Sequence, residues 1–230
     1  MKPHTEIFPP AQKEFWEKLA GSVPGRFVLY GGTAVALRFG HRTSIDFDYF
    51  TDQSVSYDDL ARTMPALTQA PVMQRAANTV IVSMTMPSGD VKLSFFGGFS
   101  FGRVGNPERV NGKVTLASPI DLLATKLKTL HDRIEPKDYL DIEVLLKSGL
   151  TLNQGIAAAR SLFGQTLNPL DTAKAVGWFK DGDLENQLPG PTKSYLVATS
   201  AKFDPKVVPL PIKSRVLAPA RQRKSDDLER

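Results

Sequence analysis

Asp46 and Asp48 stand two residues apart in Ser44-Ile-Asp-Phe-Asp-Tyr-Phe-Thr51, a run that is otherwise largely apolar and aromatic. On an extended strand, residues i and i+2 project from one face. Both carboxylates therefore share a side, and Ile45, Phe47 and Tyr49 are expected on the other, toward a core. Two like charges on one face repel, and burial raises the pKa of each. A hard divalent cation resolves both problems. Magnesium takes oxygen ligands, keeps several waters and needs only one or two protein carboxylates beside substrate phosphates. A solvent-exposed strand face is the plainer alternative for so short a pattern.

The residues just upstream narrow that choice. Tyr30-Gly31-Gly32-Thr33 follows the buried apolar run FVLY and precedes Ala34-Val35-Ala36-Leu37. This reads as strand, glycine turn and helix start, with Thr33 as the cap and a stop near Gly40. Glycine lets backbone approach a phosphate, and free N–H groups at a helix start attract anions. A glycine turn next to a carboxylate pair gives a phosphate cradle beside a metal site.

Other elements must hold this platform. AQKEFWEKLAG reads as a short amphipathic helix with Phe15, Trp16 and Leu19 inward. Tyr57 to Leu67 reads as a helix. Thr79–Thr85 and Val91–Phe96 read as a hairpin across Pro87-Ser-Gly-Asp90, with one edge strand at Val110–Leu116. The character then turns helical. Ser118-Pro119 is an N-cap followed by proline at the first helical position, and Ile120, Leu123, Ala124, Leu127 and Leu130 form an apolar stripe. Lys126 and Lys128 both border that stripe, and spacing does not choose between them. Pro136 opens a second helix to Lys147, with Asp138 and Asp141 as i, i+3 neighbours in its first turns. Helices follow at 152–163 and 169–180, then a proline-rich stretch of short extended pieces from Leu188. Strands first and helices after predict an α+β fold. Residues 1–116 form the sheet-bearing core, 117–212 a helical region that completes a cleft, and 213–230 a flexible tail.

Composition sets outer bounds. Of 230 residues, 41% are hydrophobic, enough for a packed core. There is no cysteine, hence no disulfide or thiolate metal site, which fits a reducing, cytoplasmic setting. The N-terminus MKPHTEIFPP lacks the apolar segment of a signal peptide. No run approaches the ~18 apolar residues of a membrane helix, so no membrane partner is expected. The net charge of +5 permits a polyanionic partner without requiring one. Part of it is local, with six Lys/Arg against three Asp/Glu in 213–230.

The stretch GGTAVALRFGHRTSIDFDYF resembles the signature of AbiEii/AbiGii-type toxins, members of the polymerase-beta-like nucleotidyltransferase superfamily. Gly31, Gly32, Thr33, His41, Arg42, Asp46 and Asp48 match its positions. A second block, Lys126 followed by Lys137-Asp138-Tyr-Leu-Asp141-Ile, resembles the family's helical lysine and its basic-Asp-x-x-Asp segment. The resemblance implies a mixed sheet with flanking helices and a helical C-terminal half. It implies transfer of a nucleotidyl group from an NTP, with Mg²⁺ on Asp46 and Asp48. Gly31, Gly32 and Thr33 would position the triphosphate, and His41 and Arg42 would bind phosphate or RNA. Lys126 would bind phosphate charge, Asp138 would act as an orienting group or base, and Asp141 would support substrate binding. Family members act as toxins in toxin–antitoxin pairs, some modifying the 3′ end of tRNA and some in phage defence. The expected partners are therefore an NTP, a tRNA or other RNA, and a cognate antitoxin.

One position departs from the superfamily. A third metal carboxylate often comes from a later strand, and Val91-Lys92-Leu93-Ser94-Phe95-Phe96 carries Ser94 there, with Asp90 in the turn before it. Either two carboxylates suffice, or Asp90 reaches in, or the fold serves as a binding module without turnover. A nucleotidyltransferase acting on a small molecule is a further alternative.

Overall fold

Val28–Tyr30 (β1) and Phe47–Phe50 (β2) lie side by side inside a seven-stranded mixed sheet in the computed structural model, which describes residues 1–219. The other strands are Val72–Ala76 (β3), Thr79–Met86 (β4), Gly89–Phe96 (β5), Glu108–Val110 (β6) and Val114–Leu116 (β7). Their order is β3-β4-β5-β2-β1-β7-β6. β1 runs antiparallel to β2 and parallel to β7, and β2 runs parallel to β5. The register sets Tyr30 opposite Asp48 and Asp48 opposite Ser94. In-register residues share a face, so the acidic side of β2 looks onto Tyr30 and Ser94.

The opposite face is the aromatic core. Phe47 and Tyr49 are fully buried. Phe8 and Phe15 pack on Phe47 at ring separations of 5.4 and 4.9 Å, and Phe95 stacks on Tyr49 at 5.3 Å. Phe15 belongs to Pro10–Lys18 (α1), which lies against β5. Ile45 does not join this core. The strand begins at Phe47, so Ile45 lies before the pleat and is 52% exposed. The predicted alternation therefore holds only from Phe47 onward.

Gly31–Phe39 (α2) starts directly after β1 and ends at Gly40, as the glycine stop predicts. Thr33 is not its cap. The N-cap position is Tyr30, and Thr33 is inside the first turn. The expected helix at 57–67 divides into Tyr57–Thr63 (α3) and a 3₁₀ turn, Pro65–Gln69, because Pro65 cannot continue the α-helical ladder. The predicted edge strand at Val110–Leu116 is the β6–β7 hairpin, turned through Asn111-Gly112.

The helical region comprises Pro119–Thr129 (α4), Pro136–Lys147 (α5), Leu152–Phe163 (α6), Pro169–Val176 (α7), Leu184–Gln187 (α8) and Gly190–Ser200 (α9). Ser118 caps α4 as read from sequence, its hydroxyl accepting from the Asp121 N–H. α4 packs on α6 and α5, and α2 packs against α4 and α5. That last contact brings the glycine-turn helix to the helix carrying Asp138 and Asp141. α9 was not legible: Pro189 and Pro191 occur at its start, where proline opens a helix rather than breaking one.

Beyond α9 the chain forms an extended strap. Arg160 and Ser161 on α6 donate to the carbonyls of Val207 and Leu210 at 2.8 and 2.6 Å. Arg103 then bridges to Ser214, and the Leu217 N–H donates to Asp52 Oδ1 at 3.1 Å. Residues 213–219, expected to start a flexible tail, are thus tied to the loops after β2 and β5. The rest of that stretch, 220–230, lies outside the described residues.

Candidate active site

Asp48 is held by what surrounds it. Gly31 adopts φ +68°, a left-handed conformation that side chains disfavour, and a Cβ there would meet Asp48 Oδ2 at 2.6 Å. The turn therefore brings bare backbone against the carboxylate. Burial raises the Asp48 pKa most, and the Asp46 charge raises it further, while Ser94 and the charges of Lys92 and Lys126 pull it down. A carboxylate destabilised in this way gains from a counter-charge. No third His, Cys, Asp or Glu joins the pair into a metal cluster among the described residues. Two hard oxygen donors with no ion-pair partner among the described residues fit magnesium, which takes few protein ligands. Asp46 and Asp48 would hold it.

Asp90 does not lie beside them. It accepts from Thr85 Oγ1 at 2.9 Å where β4 turns into β5, four residues along the strand from Ser94. A strand advances about 3.3 Å per residue, so Asp90 is about 13 Å short of the Ser94 position. Ser94 stands directly beside Asp48, as the pattern predicted.

Thr33 braces the acidic segment from behind. Its hydroxyl is buried, hydrogen-bonds the main-chain carbonyl of Asp46, and lies 2.8 Å from Ser44 Oγ. It fixes the backbone that presents Asp46 rather than facing an open cleft.

The second block forms one ionic network. Asp141 is fully buried and receives three partners. Arg42 donates to it through Nε and Nη2 at 2.7 and 2.8 Å, His41 through Nε2 at 2.7 Å, and Lys126 Nζ lies 2.6 Å from Oδ2. Burial alone would raise the Asp141 pKa, but hydrogen bonds from His41 and Arg42 and the Lys126 charge hold it well below the ordinary carboxylate range. Gly32 makes room for this: a Cβ there would sit 2.2 Å from Arg42 Nη2. Asp138 is also fully buried, accepting from Lys126 Nζ at 2.7 Å and from Arg133 Nε and Nη2 at 3.0 and 3.2 Å. Its burial penalty is likewise outweighed, here by Arg133 and Lys126, so its pKa is lowered.

The structure thus chooses Lys126 over Lys128, which pairs with Asp132 on the surface. It brings Gly32, His41, Arg42, Lys126, Asp138 and Asp141 into one cluster, and the Lys126 charge reaches Asp48. Asp138 and Asp141 have both oxygens occupied by cations, so they orient the bases around them. Arg133 was missed by sequence reasoning. It lies in the connection between α4 and α5, outside both helical patterns, so periodicity gave no signal for it.

The family described as nucleotidyl transferase AbiEii toxin, type IV TA system, matches residues 19–205. An uncharacterized protein of Aquifex aeolicus is 29% identical over 140 residues, 59% of this chain. The chain spans only 66% of that relative's length. A crystal structure of a candidate nucleotidyltransferase from Helicobacter pylori superposes with a TM-score of 0.54 at 17% identity, covering 86% of this chain and 92% of the other. That likeness shows the fold.

Proposed function

The chain belongs to the AbiEii nucleotidyl transferase toxin family, and we propose that it is a magnesium-dependent enzyme that transfers a nucleotidyl group from an NTP to an RNA hydroxyl, a tRNA terminus being the leading acceptor. One observation carries this reading. A carboxylate pair without ion-pair partners among the described residues lies within electrostatic reach of a buried cationic network, with the glycine turn between them. Such an arrangement matches a metal-bound triphosphate, which needs oxygen ligands on one side and positive charge on the other. Bound there, the cation would neutralise phosphate charge and polarise the attacking oxygen. Asp46 and Asp48 hold the reacting end, and Thr33 and Gly31 keep those carboxylates in place. Asp141 and Asp138 fix Lys126 and Arg42 so that positive charge is already in place. In the transfer, the acceptor oxygen bonds to the α-phosphorus, the bond to the bridging β-phosphate oxygen breaks, and pyrophosphate leaves with that electron pair. Asp138, at a lowered pKa between Lys126 and Arg133, is a weak base, and the hydroxyl proton passes to solvent.

The type IV toxin–antitoxin description supports a cognate antitoxin as partner, and we extend the reading to a role in defence against phage. No helix among the described residues is long and apolar enough to cross a membrane. Incubation with α-labelled NTPs, magnesium and total RNA tests the proposal. Label appears in RNA with the wild-type chain and is lost in Asp48→Ala; equal labelling by both contradicts it. Ser94 beside Asp48 favours a second reading, a nucleotide-binding module without turnover. In that case calorimetry shows NTP binding while no label moves.

A further inference from the structure

Lys126, the cation expected on phosphate, is the least accessible permanent positive charge in the network. Its side chain is 6% exposed, and both buried aspartates hold its ammonium. The Arg42 side chain is 15% exposed, with two of its nitrogens on Asp141. Arg133 differs. Its side chain is 45% exposed although Asp138 holds Nε and Nη2. Nη1 has no hydrogen-bond partner among the described residues. Glu135 is its other acidic neighbour, 3.7 Å from Nη2 and more closely paired with Lys137 at 2.8 Å.

Charge counting points the same way. Lys126, Arg42 and Arg133 are three permanent cations against two carboxylates, Asp138 and Asp141. One positive charge is left over, and the exposed member presents it. Asp138 ties Arg133 to Lys126, Lys126 reaches Asp141, and Asp141 lies against Gly32, next to the Gly31 backbone that meets Asp48. A guanidinium engaged on one edge keeps its planar fork oriented, and that fork suits two phosphate oxygens at once.

We propose that Arg133 binds the phosphate chain of the incoming nucleotide, and that Asp138 is the positioning residue that aims its guanidinium into the cleft. Lys126 then acts from behind, as the charge that keeps Asp138 and Asp141 together. The inference rests on the nucleotidyl-transfer reading of this site, and its test separates the two.

Calorimetry measures binding of each Mg·NTP and of inorganic tripolyphosphate to the wild-type chain, Arg133→Gln and Arg133→Lys, with Tm recorded for each. Charge-assisted hydrogen bonds are worth about 1.5–3 kcal/mol, so Arg133→Gln should weaken both ligands about 10–100-fold. Arg133→Lys, which keeps a cation on Asp138, should recover part of that loss and hold its Tm. If Arg133→Gln binds both ligands within about twofold of wild type, the Arg133 assignment fails and the transferase reading stands. If the wild-type chain binds no NTP and no tripolyphosphate, both readings fall.

Discussion

Replacing Asp141 by asparagine keeps the side chain's shape and removes its charge. In the folded chain this carboxylate is fully buried and faces Arg42, His41 and Lys126 within 2.6–2.8 Å. Without it, Arg42 loses its only carboxylate and Lys126 keeps one, Asp138, which it shares with Arg133. Breaking a buried ion pair from one side costs about 3–5 kcal/mol, because the other charge stays buried and uncompensated. For a chain of this size, each kcal/mol lowers Tm by about 2–4 °C. The expected loss is therefore about 6–20 °C, with a matching fall in the urea midpoint at unchanged m. Asp138→Asn provides the contrast. Arg133 is 45% exposed and can turn to water, and Lys126 retains Asp141, so that variant should lose about half as much. Urea and thermal unfolding of both variants decide the matter. If Asp141→Asn costs less than about 1 kcal/mol, or Asp138→Asn costs as much, Asp141 is not the centre of the network.

Gly31→Ala must place a side chain at φ +68° and 2.6 Å from Asp48 Oδ2; the left-handed conformation alone costs about 1–2 kcal/mol, and displaced Asp48 should weaken magnesium binding in a titration that leaves the far-ultraviolet spectrum unchanged. The raised pKa of Asp48 gives a definite sign. Its folded pKa lies above that of a free aspartate, so its contribution to stability is present below the unfolded value and lost as pH rises through the folded one. Magnesium, which needs the ionised form, should bind less as pH falls, with the loss setting in at a higher pH than a free aspartate would show, as binding titrations at a series of pH values would reveal. Ser94→Asp would set a third carboxylate opposite Asp48. Without metal it should lower Tm through like-charge repulsion; with magnesium it should bind the ion more tightly than wild type, and a Tm unmoved by the ion would refute that placement.

Much of this site was legible because its chemistry is local in sequence. Gly31, Gly32 and Asp48 sit within one strand–helix–strand passage, so alternation and turn chemistry sufficed to place them, whereas Asp46 precedes the strand. Ile45 misled because alternation says nothing about where a strand begins, and backbone pairing starts only at Phe47. Thr33 misled because a threonine after a glycine turn looks like a cap, whereas a tertiary contact with the Asp46 carbonyl claims its hydroxyl. The links from His41 and Arg42 to Asp141 span about a hundred residues, and no local pattern reports them. Burial of Asp138 and Asp141 was equally hidden, since acids in a first helical turn are usually solvated. β3 and α9 went unread for a different reason. β3 is exposed on both faces and lacks an apolar period, and α9 opens on prolines that resemble a break.

On the proposed reading, the acidic pair and the cationic cluster together move a nucleotidyl group. An NTP labelled at both the α- and γ-phosphates tests it in one experiment with magnesium and an RNA acceptor. Nucleotidyl transfer predicts α-label in the acceptor and γ-label in pyrophosphate, both abolished by Asp48→Asn. γ-label in the acceptor, orthophosphate as the only product, or turnover that survives Asp48→Asn would contradict the account.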